Sequence, residues 1–181
     1  MNLESINGEA AVFSLFQIIT GLVFGAAVLF LTFKVFTFWA KKRYGIDGFN
    51  FAFSILMGSI LFSVGLLLQE IITPSVITFQ NLLKRTHDLV SVILVGTLYT
   101  VIYFAISTLF SFMLIFVAYF LFTVLTRKIN EMEEIKQNNV AISIILGIVI
   151  IVLVLLVRNG FSQLIDALIP HPELQRGVFG G

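Results

Sequence analysis

The residue types that most often do chemistry in proteins are few in this sequence and widely spaced. It contains no cysteine, which excludes disulfides, thiolate metal sites and cysteine nucleophiles. The two histidines, His87 and His171, are 84 positions apart, and His87 beside Asp88 is typical of a solvated pair. Every Asp and Glu lies outside the long apolar runs, and no phosphate-binding or dinucleotide-binding glycine motif occurs. We therefore predict no catalytic residues, no metal site, no cofactor and no enzymatic activity.

A short motif is present twice, with the two copies 89 positions apart. Residues 50–58 read NFAFSILMG and residues 139–147 read NVAISIILG, so five of the nine pairs are identical and the others exchange apolar residues. The identical polar and small residues form the candidate site: Asn50, Ala52, Ser54, Gly58, Asn139, Ala141, Ser143 and Gly147.

The residue types of this motif indicate helix capping and helix packing. An Asn at the start of a helix accepts a hydrogen bond from a free backbone N–H, and small residues let neighbouring helices approach closely. Further packing glycines are predicted at Gly21, Gly25 and Gly65. A sharper hypothesis is that two positive helix N-termini, at Asn50 and Asn139, contact an anionic group.

Four apolar runs must position these residues. The chain has 181 residues, of which 59% are hydrophobic and only 12% charged, whereas soluble domains carry about 25% charged residues. A helix that crosses a membrane needs about 20 apolar residues. We predict an all-α membrane protein with about four spans, at residues 11–40, 51–68, 89–126 and 140–157. The run 89–126 has no charge and no proline, which favours one long helix over the alternative of two short spans.

Two other segments, 74–88 and 161–169, are predicted as short amphipathic helices at the membrane interface, the second followed by a loose tail. The order of long helix, charged loop, motif, second helix and amphipathic segment occurs twice. It divides the chain into a first repeat, 1–88, and a second repeat, 89–181. Because each repeat holds an even number of spans, both insert the same way up, as parallel helical hairpins.

The charged loops predict the orientation of the chain. Basic residues are more frequent around loops 41–49 and 127–139, which places these loops in the cytoplasm and both termini on the periplasmic or extracellular side. The triplet Glu131, Glu133 and Glu134 is typical of a solvated helix face. No basic residue precedes the first apolar run, so we interpret it as a retained membrane helix and not a secretion signal.

The sequence resembles the YjfL-like family, catalogued as domain of unknown function number three hundred and fifty. The resemblance rests on a pattern that is present twice: a charged loop, then Asn, Ala-x-Ser and Gly inside an apolar helix. The closest match is EIKQNNVAIS at 134–143. The first copy, GIDGFNFA at 45–52, departs from the pattern at Asp47 and Phe49. The resemblance implies a duplicated two-helix unit in a bacterial inner membrane and, in some members, association with peptide-ligase-like enzymes. It implies no established activity and no catalytic residues.

Three classes of function remain open. A non-enzymatic subunit that oligomerises, or that scaffolds a membrane or cytoplasmic protein, fits the small-residue motifs best. An oligomeric ion channel or pore is the alternative, because uncharged polar residues recur in the spans. An intramembrane enzyme is the distant alternative, since the polar groups it needs at depth are not visible. The predicted partners are the lipid bilayer and a protein, and the net charge of +1 gives no case for nucleic acid.

Overall fold

The computed structural model describes residues 3–48, 50–85, 89–126 and 130–168, and throughout these ranges the regular structure is α-helical. The described residues form five helices in chain order: α1 Leu3–Tyr44, α2 Phe51–Arg85, α3 Leu89–Leu125, α4 Glu131–Lys136 and α5 Val140–Leu168. The predicted loose tail, residues 170–181, lies outside the described residues, as do His87 and Asp88.

Four of these helices are long and apolar enough to cross a membrane, which confirms the predicted all-α fold with four spans. Lipid offers no hydrogen-bond partner, so a spanning backbone must pair its N–H and C=O groups internally, as a helix does. Large apolar side chains such as Leu22, Leu94 and Leu156 are exposed on the outside of the bundle, where a bilayer would cover them. The spanning segments are Ile18–Tyr44, Phe51–Leu82, Val90–Leu125 and Val140–Leu168.

The run predicted as 89–126 forms a single helix, α3, of 37 residues, and the alternative of two short spans is wrong. No proline interrupts it, and its one glycine, Gly96, is buried under the ring of Phe79. At about 1.5 Å per residue such a helix is roughly 55 Å long, which exceeds a hydrocarbon layer of about 30 Å. It must therefore tilt or extend beyond the layer.

The second helix continues far beyond the predicted span, 51–68. It passes through Pro74 and ends at Arg85, so the predicted amphipathic segment 74–88 is a continuation of α2 and not a helix of its own. Residues 86–88 of that segment lie outside the described residues.

Contacts with α3 explain why α2 continues past the proline. Proline removes one helical hydrogen bond. Just beyond it, the Ser75 and Thr100 hydroxyl oxygens lie 2.8 Å apart, and those of Thr78 and Tyr103 lie 3.1 Å apart. All four side chains are buried. This packing between helices stabilises the segment where local sequence alone predicts an end.

The fifth helix also continues beyond its predicted span, 140–157, because its last turns pack on α3. The ring of Phe161 stacks on that of Phe110, with centroids 4.5 Å apart, and Ile165 is fully buried. The predicted amphipathic segment 161–169 is therefore the end of α5, with Ile169 outside the described residues.

Two charged residues that were predicted to end the spans lie within them and pair with each other. The Nε atom of Arg158 on α5 lies 3.5 Å from the Oε1 atom of Glu70 on α2. Charged side chains inside spanning segments are usually paired in this way. The pair therefore links α2 to α5 at some distance from their N-termini. The expectation that every carboxylate lies outside the spans is wrong for Glu70 and for Asp166, which lies in the last part of the fourth span.

The short helix α4 lies in the segment predicted as a charged loop. Asn130 caps its N-terminus by accepting from the backbone N–H of Glu133, and Met132 and Ile135 are fully buried. Glu131 is only 1% exposed and accepts from the hydroxyls of Thr123 and Thr126. The prediction of a solvated face is wrong for Glu131, because its side chain turns back onto the end of α3.

Candidate functional site at the hairpin junction

The first motif asparagine joins the two halves of the chain. Its Oδ1 atom accepts from the backbone N–H of Phe53 at 2.7 Å, the usual arrangement of a helix N-cap. Its Nδ2 atom donates to the carbonyls of Ile135 and Lys136, at 2.7 and 3.0 Å. Asn50 therefore satisfies a free donor at the start of α2 and donates to two carbonyls at the end of α4.

A second asparagine, Asn138, makes the reciprocal contact. Its φ of 67° places it in the left-handed region, just after α4. The N–H groups of residues 138 and 139 donate to the carbonyls of Ile135 and Glu134, which is the Schellman arrangement at a helix C-terminus. The Asn138 Oδ1 atom accepts from the N–H of Ala52 at 3.0 Å. We call this set of contacts, from Asn50–Phe53 and Glu134–Asn139, the hairpin junction.

The junction brings the starts of α2 and α5 to the same end of the bundle. α2 begins immediately after Asn50, and α5 begins immediately after Asn139. The Tyr44 and Tyr119 hydroxyl oxygens, 3.2 Å apart, join the ends of α1 and α3 there as well. The two long-helix hairpins therefore run in the same direction, as parallel repeats require.

The second motif asparagine behaves differently from the first. The Asn139 Nδ2 atom donates to the Oε2 atom of Glu134 at 2.8 Å. Since a negative carboxylate lies at the positive N-terminus of α5, the helix dipole there already has an electrostatic partner. On α2, the N–H groups of Ala52 and Phe53 are taken by asparagine oxygens. The geometry therefore supports capping at this site, and it leaves those two donors unavailable to an anion.

The motif glycine of the second repeat is a close contact between α2 and α5. A Cβ atom added at Gly147 would overlap the Ser59 hydroxyl and lie 2.9 Å from its Cβ atom. Ser143, one turn earlier on α5, is fully buried, and so is Val154 further along. These three residues, which we call the α5 motif face, lie within about 40° of one another on the helix.

The equivalent residues of the first repeat are not covered. Ser54, Gly58 and Gly65 correspond to Ser143, Gly147 and Val154 under the shift of 89 positions, and we call them the α2 motif face. Ser54 and Gly58 are exposed, and a Cβ atom added at Gly58 or Gly65 would meet nothing within 4 Å. The same sequence motif is thus buried on one helix and open on the other.

Among the remaining predicted residues too, one member of each pair is packed and the other is open. Ala52 is buried at the junction, whereas its equivalent Ala141 is exposed. A Cβ atom at Gly21 would lie 3.3 Å from the Cδ1 atom of Ile72, whereas one at Gly25 would meet nothing within 4 Å. Gly21 therefore packs against α2, and Gly25 leaves an open position on α1.

Sequence reasoning missed Asn138 and Gly96. Asn138 belongs to the sequence NN, and only its left-handed backbone and its bond to Ala52 distinguish it from its neighbour. Gly96 stands alone in an apolar run, yet the ring of Phe79 occupies the position of its missing side chain. In hindsight, Asn after a short charged helix is a recognised C-terminal signal. Nothing local signals the Gly96 contact, because its partner is 17 positions away.

Residues 93–171 match the family described as Domain of Unknown Function (DUF350), which confirms the predicted resemblance to that domain over these residues. The matched segment includes most of α3, all of α4 and α5, and the second copy of the motif. No curated protein and no solved structure matches the chain. Among the described residues, no group of three or more His, Asp and Glu is arranged to hold a metal ion.

Proposed function

We propose that this multi-pass membrane protein, in which α3 to α5 carry the DUF350 match, is a non-enzymatic subunit that assembles with further copies of itself. The observation that carries the proposal is the open α2 motif face. Small residues on spanning helices let backbones approach, and close packing drives helix association where lipid removes the hydrophobic effect. The α5 motif face packs against a helix of the same chain. The α2 motif face has the same Ser and Gly residues and is therefore suited to pack against a helix of another copy.

The contact inside the chain suggests what covers the α2 motif face. Within one chain, Gly147 of α5 packs on Ser59 of α2. Under the shift of 89 positions, this contact maps to Gly58 of α2 against Ile148 of α5 in a second copy. Ile148 is 54% exposed, and its neighbours Ile145 and Val152 are exposed too. We infer a head-to-tail contact between copies, and a contact of this type closes into a ring when its rotation permits.

The mass of the particle in lipid nanodiscs tests this assembly. We expect the wild-type chain to give a particle of several copies and Gly58→Leu to give the mass of one chain, because the larger side chain fills the gap between copies. Gly160→Leu is the matched control, since Gly160 is also an exposed helical glycine with nothing within 4 Å of an added Cβ atom. A wild-type particle with one chain, or one that co-purifies with a soluble protein, would instead support a scaffold for another partner.

A channel formed by several copies is the second candidate, and Lys34 is the observation that favours it. Lys34 is exposed on α1 within the spanning segment, where its ammonium lies 5.5 Å from the Phe30 ring centroid. Charged side chains in spans usually face a partner or a water-filled cavity. If Lys34 lines a pore, planar bilayers containing the protein conduct ions and Lys34→Met changes the ion selectivity. If the bilayers do not conduct ions, the channel is contradicted and the proposal of an assembly without a pore is retained.

We further propose that the protein resides in a bacterial inner membrane with the hairpin junction in the cytoplasm. The basic last turn of α1, with Lys41, Lys42 and Arg43, supports this orientation because cytoplasmic loops carry an excess of Lys and Arg. Both termini would then lie on the periplasmic or extracellular side.

A further inference from the structure

An apolar cavity of about 270 Å³ lies between the helices next to the hairpin junction. Leu56 of α2 with Leu146 and Ile150 of α5 form its inner wall, and these three side chains are at most 2% exposed. Met132 of α4 closes the end nearest the junction. A wall made of aliphatic side chains favours a hydrocarbon over a polar ligand.

The cavity opens sideways, between α1 and α3. Val35 of α1 and Phe116 of α3 both line it, and they are 44% and 69% exposed. Both belong to spanning segments, so the opening faces the region that the bilayer occupies. A lipid tail beside the protein can therefore reach the cavity without crossing water.

Aromatic side chains form the part of the wall near the ends of α1 and α3. Trp39 and Tyr119 line the cavity, with ring centroids 6.1 Å apart in an edge-to-face arrangement. The Tyr119 hydroxyl is held by the Tyr44 hydroxyl. This contact between α1 and α3 holds the aromatic wall in place. The lateral opening between the same two helices stays accessible.

The volume fits the end of a hydrocarbon chain. A protein cavity of about 150 Å³ lined by Leu, Ile and Phe binds benzene. In proportion, about 270 Å³ accommodates roughly ten carbon atoms. This is enough for a substantial part of one lipid tail and too little for a whole two-chain lipid.

We propose that this cavity is a binding site for a single hydrocarbon tail, which enters from the bilayer between α1 and α3. The chemistry of the wall is the same for a fatty acyl chain and for a prenyl chain. The site is independent of the contact between copies, because its wall contains none of the residues of the α2 motif face.

The single tryptophan of the chain makes the site directly observable, because Trp39 lines the cavity. We would reconstitute the full chain in vesicles of phosphatidylcholine with acyl chains brominated near their middle, since bromine quenches tryptophan fluorescence at contact. Leu146→Phe fills the cavity from its inner wall, and we expect it to lower the quenched fraction of Trp39 fluorescence at least twofold. Leu156→Phe, at an exposed position of the same helix, is the matched control and leaves quenching unchanged.

Equal quenching in the wild type and in Leu146→Phe would overturn the proposal, because Trp39 would then be quenched only by lipid outside the cavity. Ile150→Phe provides a second filling variant if Leu146→Phe does not fold, as judged by its helical content. Native mass spectrometry of the wild type is a further readout, and a spectrum without any retained lipid also overturns the site.

Competition identifies the source of the tail. Farnesol, a prenyl alcohol, is added to the vesicles that contain the brominated lipid. A recovery of Trp39 fluorescence in the wild type, and not in Leu146→Phe, assigns the cavity to prenyl chains. Unchanged quenching in the wild type assigns it to acyl chains.

Discussion

At the scale of residues, Asn50 and Asn138 join the two hairpins, and the two motif asparagines, Asn50 and Asn139, have unequal roles. The Asn50 side chain makes three hydrogen bonds, two of them across the junction, whereas the Asn139 side chain makes one, to Glu134 of its own half. The sequence predicts a capping asparagine at each motif because Asn is a common N-cap. It does not predict that Asn50 also binds the carbonyls of α4, because α4 lies 85 positions away and its helical turn is short.

Replacing Asn50 by Ala tests this unequal division. The variant loses an N-cap, worth about 1 kcal/mol. It also removes the side-chain donor from the Lys136 carbonyl and leaves the Ile135 carbonyl with only the Asn138 N–H, which adds about 1 kcal/mol. We expect the free energy of unfolding to fall by roughly 2 kcal/mol, measured by circular dichroism during unfolding by dodecyl sulfate in mixed micelles. Asn139→Ala is the matched control and should cost less than half as much. Equal losses in the two variants would contradict the contacts described here.

At the scale of elements, two helices are longer than the local sequence predicts, because tertiary packing extends them. Apolar runs locate the four spans, but they underestimate α2 and α5, whose last turns are fixed by contacts with α3. The Pro74 segment illustrates the reason: a proline predicts an end, and hydroxyl contacts such as Ser75 with Thr100 stabilise a continuation. A pattern read along one helix carries no information on the neighbour that makes these contacts.

The close approach of α2 and α5 predicts opposite effects for two glycines on the same helix. Gly147→Ala places a Cβ atom against Ser59, and crowding of this kind typically costs about 1–3 kcal/mol. Gly160→Ala meets nothing and should gain about 0.5–1 kcal/mol from helix propensity. Thermal unfolding in detergent, followed by circular dichroism, measures both. If Gly160→Ala lowers the stability and Gly147→Ala does not change it, the α5 face that packs against α2 has been assigned wrongly.

At the scale of the whole molecule, the arrangement of the hairpins and their orientation can be tested separately with single cysteines, because the chain has none of its own. Gly48→Cys and Gln137→Cys are both exposed positions beside the junction. We expect a membrane-impermeant maleimide to label neither in intact spheroplasts and both after permeabilisation. Labelling of both in intact spheroplasts reverses the proposed orientation. Labelling of only one places the two loops on opposite sides and contradicts the junction.

The repeated motif predicts helix contacts in both halves of the chain, but it does not predict which of the two helices makes its contact inside the chain. The sequence shows the same motif twice, and small residues predict helix contacts in both copies. It cannot show that α5 uses its face inside the chain while the face of α2 stays open, because the two are identical at the decisive Ser and Gly positions. Only the packed structure separates the used face from the free one.

The most direct test of the proposed assembly is a disulfide between two copies. Chains carrying Gly58→Cys and chains carrying Ile148→Cys, with different tags, are expressed together and oxidised in the membrane. The proposed contact between Gly58 of one copy and Ile148 of another predicts a cross-linked product that contains both tags. It predicts little product from either variant alone. A strong product from Gly58→Cys alone, or no product from the mixture, would contradict the head-to-tail contact between copies.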